Sequence, residues 1–190
     1  MIIGVAAALF ATVGLRRTTM ETIASAAGRG RRTIYMYFSN KAEIYDAVVE
    51  REIRQITGPL LDLVSSVKVF EAVVQRYGEV RVSQLNALIL RNPLLLKDFS
   101  QGHSRVERLR ERLNRDEMKI LTPFFRKYIS HKEYPGRPSP EEYAAIFLNL
   151  LRGRDRLLTK IDGLIEAIRI SSISADLFLK GINGLREVTA

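Results

Sequence analysis

The sequence predicts an all-α protein with about nine helices. Apolar residues recur at steps of three and four along almost every segment, which is the period of a helix that buries one face. Helix-start signals recur as well. The clearest is Ser139-Pro140-Glu141-Glu142, which combines an N-cap, a proline at the first helical position and an acid at the third. No segment shows the strict alternation of apolar and polar residues that a half-buried strand would require.

The first two predicted helices are short and have clear start and end signals in the sequence. The first is predicted within residues 2–13 and ends at Gly14. Thr18 is followed three residues later by Glu21, and this spacing predicts a capping box that opens the second helix. Gly28 closes that helix, where a helix-turn-helix needs a tight turn with positive φ.

The remaining helices follow the same period. The third is predicted from about Arg31 to Phe38, and the fourth from Lys41 to Ile56 after an Asn40 cap. Gly58-Pro59 is expected to weaken or kink the fourth helix, because proline has no N–H to donate. Five more helices are predicted over residues 67–90, 94–113, 118–129, 139–151 and within 164–187.

Composition narrows the classes of function. The 190 residues are 46% hydrophobic and 27% charged, which is typical of a soluble globular protein of one domain or two small ones. The absence of cysteine excludes a disulfide scaffold, a Cys-type zinc site and a thiolate enzyme. With only two histidines we expect no metal and no cofactor. A net charge of +9 favours a polyanionic partner, nucleic acid first and an anionic membrane second.

The apolar start of the chain is interpreted as a core helix. Met1–Leu15 has the composition of a signal-peptide core, but Arg16 and Arg17 follow it, whereas a secretory signal has its positive charge in front. The run is also too short to span a bilayer. We therefore expect a cytoplasmic protein without a membrane partner.

The segment after Gly28 has the chemistry of a DNA-reading helix. From Gly28 through Lys41 the sequence carries four positive charges and no acid. The N-terminal end of such a helix enters the major groove, where arginine can bond guanine O6 and N7 together. Hydroxyl groups and a lysine at a helix start suit phosphate oxygens, although Tyr35 could equally serve packing. The predicted DNA-binding residues are Thr18, Thr19, Arg29, Arg31, Arg32, Thr33, Tyr35, Tyr37 and Lys41.

These residues resemble the N-terminal pattern of the tetracycline-repressor (TetR) family of bacterial transcription regulators. The resemblance covers about residues 2–48 and rests on Ala7-Ala8-Leu9-Phe10, Gly14, Thr18-Thr19, Ile23-Ala24, Ala27-Gly28, Thr33-Ile34-Tyr35, Tyr37-Phe38 and Lys41. It implies an all-α homodimer with a helix-turn-helix domain over residues 1–45. It also implies a larger helical domain over 46–190 that dimerises and binds an effector, with helix 41–56 as the link.

The sequence departs from the family pattern in three places. Arg29 and Gly30 stand where the family usually has an apolar residue and a serine, and Arg32 replaces a common glycine. By family standards the chain begins inside the first helix, without the usual basic leader. Either the sequence is trimmed at this end, or the minor-groove and backbone contacts of the leader are lost.

The resemblance implies a sequence-specific transcription regulator, a repressor that a small-molecule effector releases from a palindromic operator. The alternative is an architectural DNA-binding protein that needs no effector. No nucleophile, base and orienting group stand together, so we expect no enzyme. Residues that could line an effector pocket, or simply form core, are His103, Phe124, Tyr128, Tyr143 and Phe147. Candidate dimer positions are Leu148, Leu151, Ile165, Ile168, Leu177 and Leu179.

Overall fold

The computed structural model describes residues 1–93, 104–129, 138–153, 155–159 and 162–187. Within these ranges all regular structure is helical, and the all-α prediction is confirmed. The helices are α1 (Ile2–Thr12), α2 (Met20–Ala26), α3 (Arg31–Tyr37), α4 (Lys41–Ser66), α5 (Phe70–Arg91), α6 (Ser104–Tyr128), α7 (Pro140–Arg152) and α8 (Gly163–Glu187), with a short 3-10 helix at Asp155–Thr159.

The chain forms two compact units. Unit 1 comprises Met1–Gln55 and Ala87–Leu109, and unit 2 comprises Ile56–Asn86 and Arg110–Ala190. The core of unit 1 lies among α1 to α4. It consists of Ala6, Ala7, Phe10, Met20, Ile23, Ala24, Ile34, Ile44 and Val48.

Two predicted helix boundaries are wrong: α4 does not end at Ile56, and the predicted break between residues 113 and 118 does not exist. α4 continues past Pro59 to Ser66, and α6 continues past Pro123 to Tyr128. The predicted helices over 104–113 and 118–129 are therefore one helix, while residues 94–103 lie outside the described part. Each proline costs its helix one backbone hydrogen bond. Buried side chains on both sides, such as Ile56 and Leu60 in α4, offset that cost by packing.

The capping box of α2 lies one residue later than predicted. Thr19, not Thr18, is the N-cap: its Oγ1 accepts from the Thr22 N–H at 3.1 Å, and Thr22 Oγ1 accepts from the Thr19 N–H at 2.9 Å. Thr18 is only 1% exposed, and its hydroxyl donates to the Gly14 carbonyl at 2.9 Å. Burial of Thr18 thus moves the start of the helix. The predicted box at Ser139 and Glu142 is confirmed.

Among the described residues, none of the helices is both long and apolar enough to cross a bilayer.

Candidate nucleic-acid interface

A tight turn at Gly28 joins α2 to α3. Gly28 has φ +60°, as predicted, and its N–H donates to the Ser25 carbonyl at 3.0 Å. The next N–H, of Arg29, donates to the Ala24 carbonyl at 3.0 Å. This pair of bonds is the Schellman motif, which satisfies the last carbonyls of α2 and reverses the chain direction. The turn requires glycine because a side chain is strained at this φ.

The third helix presents nearly all of its side chains to solvent. Ile34 is its one fully buried residue and packs into the core of unit 1. Tyr37 is 69% exposed, and Met36 on the same turn is 76% exposed. The predicted DNA-binding side chains of this segment are exposed at Arg29, Arg31, Arg32, Tyr35 and Tyr37, and half-buried at Thr33. One anchoring residue and an exposed basic start suit a helix that enters a major groove.

Arg31 is held by two neighbours in the free protein. Its Nη2 lies 3.0 Å from Glu21 Oε1, and its Cζ lies 5.5 Å from the centre of the Tyr35 ring. The backbone N–H of Glu21, followed by Thr19 and then Arg31, holds the pKa of the Glu21 carboxyl below its ordinary value. Arg31 thus contacts both Glu21 and the Tyr35 ring, and its side chain still remains exposed to solvent.

Lys41 and Thr18, both predicted to contact DNA, are bonded to each other. Lys41 Nζ donates to the carbonyl oxygens of Leu15 at 2.8 Å and Thr18 at 2.7 Å. Two of the three ammonium hydrogens thus hold the turn between α1 and α2. The hydroxyl of Thr19 also forms a local bond, because it accepts the hydrogen bond that caps α2. DNA contacts of these three residues stay predictions, and the geometry gives each a role in the scaffold as well.

Sequence reasoning missed three exposed residues of the helix-turn-helix region. Arg16 and Arg17 lie exposed in the turn that Lys41 holds, and Met36 is exposed on α3. Arg16 and Arg17 are not among the predicted DNA-binding residues, although a basic pair beside a helix-turn-helix suits phosphate contact. Nothing in the sequence marks Met36 as exposed.

The predicted effector-pocket residues of unit 2 are packed against other aromatic rings. Phe124, Tyr143 and Phe147 are buried, and Tyr128 is half-buried with its hydroxyl donating to the Lys68 carbonyl at 3.0 Å. His103 lies outside the described residues. Among the described residues, the closest ring pairs by centroid distance are Phe147–Phe178 (4.9 Å), Phe124–Tyr128 (5.1 Å), Phe70–Phe124 (5.4 Å), Phe124–Phe125 (5.4 Å), Phe70–Tyr128 (5.6 Å) and Phe125–Phe178 (5.7 Å).

A buried charged triad also lies in unit 2, and sequence reasoning did not predict it. Arg81 Nε donates to Glu117 Oε1 at 2.8 Å, and its two Nη atoms donate to Asp155 at 2.6 and 3.2 Å. Burial raises the pKa of the Glu117 carboxyl, and the Arg81 charge offsets part of that effect. Three buried polar atoms of unit 2 have no hydrogen-bond partner among the described residues: Glu117 Oε2, Tyr143 Oη and Ser171 Oγ.

Half of the candidate dimer positions are wrong. Leu148, Leu151 and Leu179 are buried within the core of unit 2, so they are not available to a partner. Ile168 is half-buried, while Ile165 and Leu177 are exposed. Further exposed apolar residues on α7 and α8 are Ile146, Leu150 and Ile173.

Comparison with known proteins supports the assignment of the N-terminal region. Residues 2–48 match the family model described as bacterial regulatory proteins of the tetR family. No curated protein sequence matches the chain significantly.

Solved structures extend the similarity of fold to nearly the whole chain. A transcriptional regulator from Cytophaga hutchinsonii is 24% identical, with a TM-score of 0.70 and 95% of each chain covered. SmeT, the repressor of the Stenotrophomonas maltophilia multidrug efflux pump SmeDEF, is 20% identical with a TM-score of 0.65, covering 95% of this chain and 87% of SmeT. FadR from Bacillus subtilis, solved in complex with stearoyl-CoA, is 16% identical with a TM-score of 0.67, covering 95% and 97%.

Proposed function

We propose that this chain, whose residues 2–48 match the model of the tetR family of bacterial regulatory proteins, is a homodimeric repressor that reads a palindromic operator and leaves it when a small molecule binds. The observation that carries this proposal is the exposed basic start of α3, with Arg31 and Arg32 in solvent and Ile34 anchored in the core. In this proposal residues 1–45 bind DNA, and residues 46–190 dimerise and bind the effector.

Each side chain of the interface takes a role suited to its chemistry. Arg31 and Arg32 read base edges, since a guanidinium bonds guanine O6 and N7 together. Arg29, Thr33, Tyr35 and Tyr37 fix the position of α3 by contacts with phosphate or bases. Arg16 and Arg17 add phosphate contacts from the neighbouring turn. Thr18, Thr19 and Lys41 shape that turn, and the third N–H of Lys41 remains available to a phosphate.

The dimer would form through α7 and α8. Ile173 and Leu177 lie four residues apart on α8, and Ile165 lies two turns earlier on the same row. Ile146 and Leu150 form a similar pair on α7. Two such helices from each subunit can pack as a four-helix bundle. Two copies of α3 would then lie one or more turns of DNA apart, which is why the operator is expected to be palindromic.

Two observations bear on whether an effector exists. Tyr143, Ser171 and Glu117 each bury a polar atom that lacks a partner among the described residues, and a small molecule with polar groups would satisfy such atoms. The dense packing of the aromatic rings instead favours the second candidate, an architectural DNA-binding protein without an effector. Either protein would work in the cytoplasm, at the nucleoid when bound, with no membrane partner and no enzymatic activity.

Selection of bound sequences from a random pool of double-stranded DNA tests the main proposal. It is run at about 50 and 200 mM salt, because phosphate contacts alone weaken steeply over this range. A palindromic consensus that survives the higher salt supports a dimeric, sequence-specific regulator. Loss of all binding without enrichment would contradict it.

A second experiment separates the two candidates. A panel of small molecules is screened for release of the selected operator, and each active compound is tested again on Tyr143→Phe and Ser171→Ala. Release that weakens in these variants supports an effector site in unit 2. Operator affinity that no compound changes favours the architectural protein.

A further inference from the structure

Glu21 is the only acidic residue among the first 42 residues of the chain, which contain five arginines. The structure places it beside the first residue of α3. Its carboxylate oxygen lies 3.0 Å from Arg31 Nη2, and the two side chains are 52% and 65% exposed. A fixed negative charge in this position lowers the attraction of the face for any phosphate backbone. An acid here therefore lowers general affinity for DNA. The property that it can improve is discrimination between DNA sequences.

The carboxylate and the Tyr35 ring hold Arg31 from two sides. The Glu21 carboxylate contacts one guanidinium nitrogen of Arg31, and the centre of the Tyr35 ring lies 5.5 Å from Arg31 Cζ. A free arginine side chain samples many rotamers and can reach several phosphate oxygens. A guanidinium held in this way has fewer positions from which to donate. What remains available is a planar fork of N–H groups in a restricted place, which suits the two acceptors of one guanine.

The relative strengths of these interactions decide which contact can compete with Glu21. An exposed ion pair is worth at most about a fivefold factor in an equilibrium constant. A bidentate contact with guanine is worth about five- to 150-fold against the wrong base. Guanine can therefore draw Arg31 into a base contact, whereas a single exposed phosphate competes with Glu21 on nearly equal terms.

We propose that Glu21 is a positioning residue that determines specificity: it restrains Arg31 from phosphate contacts on random DNA and leaves it available for guanine in the operator. This inference rests on the proposed function, in which α3 reads the major groove. It predicts that Glu21 lowers affinity for random DNA more than affinity for the operator, and that it does so through Arg31.

The test compares dissociation constants for the selected operator and a scrambled duplex over a series of salt concentrations. Glu21→Gln should tighten binding to the scrambled duplex by up to about fivefold and should lower the ratio of operator to scrambled affinity. Glu21→Asp keeps the charge but shortens the reach to Arg31. It should lower the same ratio while its salt dependence stays that of the wild type.

A double-mutant cycle assigns the effect to Arg31. In an Arg31→Ala background, Glu21→Gln should leave the affinity ratio unchanged. The inference is overturned if Glu21→Gln shifts both duplexes by the same factor, or if the ratio changes equally with and without Arg31. Melting temperatures of all variants show that each is folded.

Glu166→Gln is the matched control, because Glu166 forms a 2.8 Å exposed ion pair with Arg169 in unit 2. It removes the same charge and should leave the ratio unchanged. A wild type that selects no DNA sequence would contradict the proposed function itself. A wild type that discriminates, with Glu21 variants that discriminate equally well, would contradict only the role of Glu21.

Discussion

The ammonium of Lys41 donates a 2.7 Å hydrogen bond to the carbonyl oxygen of Thr18. A second bond, to the Leu15 carbonyl at 2.8 Å, fixes the other end of the same turn. The first residue of α4 thus holds the segment that carries Arg16 and Arg17. The geometry of the two residues proposed to contact phosphate therefore depends on a lysine more than twenty positions away along the chain.

Lys41→Met should lower the free energy of unfolding by about 1–3 kcal/mol, because two partly buried carbonyls lose a charged donor. Denaturant unfolding measures this change. Lys119→Met is the control, since its exposed ammonium has the side chain of Asp116 as its partner among the described residues, and we expect a change within about 0.5 kcal/mol. Unchanged stability in Lys41→Met, with a salt slope reduced by about one, would instead assign Lys41 to phosphate contact alone.

Arg31→Ala and Arg32→Ala should each relax base preference at one operator position in each half-site. The expected loss of discrimination is about five- to 150-fold, the worth of a bidentate guanine contact. Binding to a complete set of single-base operator variants measures it. Equal weakening on every variant would show that the arginine touches only phosphate.

Glu117 should make the protein less stable as pH rises. Its folded pKa is raised above the ordinary value of 4.5, mainly by burial. The folded state therefore holds the proton more tightly than the unfolded chain, and the stability gained from this is complete below 4.5 and lost as pH rises through the folded pKa. Glu117→Gln keeps an acceptor for Arg81 but removes the titration.

Unfolding free energies of the wild type and Glu117→Gln, measured from about pH 4.5 to 8, test this directly. The difference between wild type and variant should shift in favour of the variant as pH rises. A difference that stays constant across the range would show that burial does not perturb this carboxyl.

Tyr143→Phe should leave the free energy of unfolding unchanged or raise it by up to about 1 kcal/mol. Its buried hydroxyl has no partner among the described residues, so its removal takes away a desolvation cost and no hydrogen bond. Tyr128→Phe is the matched control: its hydroxyl donates to Lys68, and its loss should cost about 0.5–1.5 kcal/mol. A clear loss of stability in Tyr143→Phe would mean that the hydroxyl is bonded in solution.

Local signals in the sequence predicted the helix-turn-helix well. Gly28, the start of α3 at Arg31 and the box at Ser139 follow from backbone sterics and capping, which depend on a few neighbouring residues. The choice between Thr18 and Thr19 as N-cap does not follow from such local signals. It depends on which hydroxyl is buried, and packing against the rest of unit 1 decides that.

Long-range packing explains the rest of what sequence reasoning missed. Pro59 lies inside α4, beyond the predicted end at Ile56, because buried neighbours compensate for the lost backbone bond. Leu148 and Leu151 fit a dimer face and a core face equally well by spacing, and only the packing of unit 2 assigns them to the core. The partners of Arg81 lie 36 and 74 residues away along the chain, so no local sequence pattern predicts the triad.

The triad constrains how this chain can change over generations. Loss of Glu117 or Asp155 alone leaves the Arg81 charge buried and short of a partner, and breaking such a pair costs about 3–5 kcal/mol. Apolar replacement of all three together is often neutral. A single substitution in the triad is therefore strongly destabilising, whereas the combined replacement leaves the stability nearly unchanged. Among descendants of this sequence, Arg81, Glu117 and Asp155 should be inherited or lost as a set, although they lie on three separate helices.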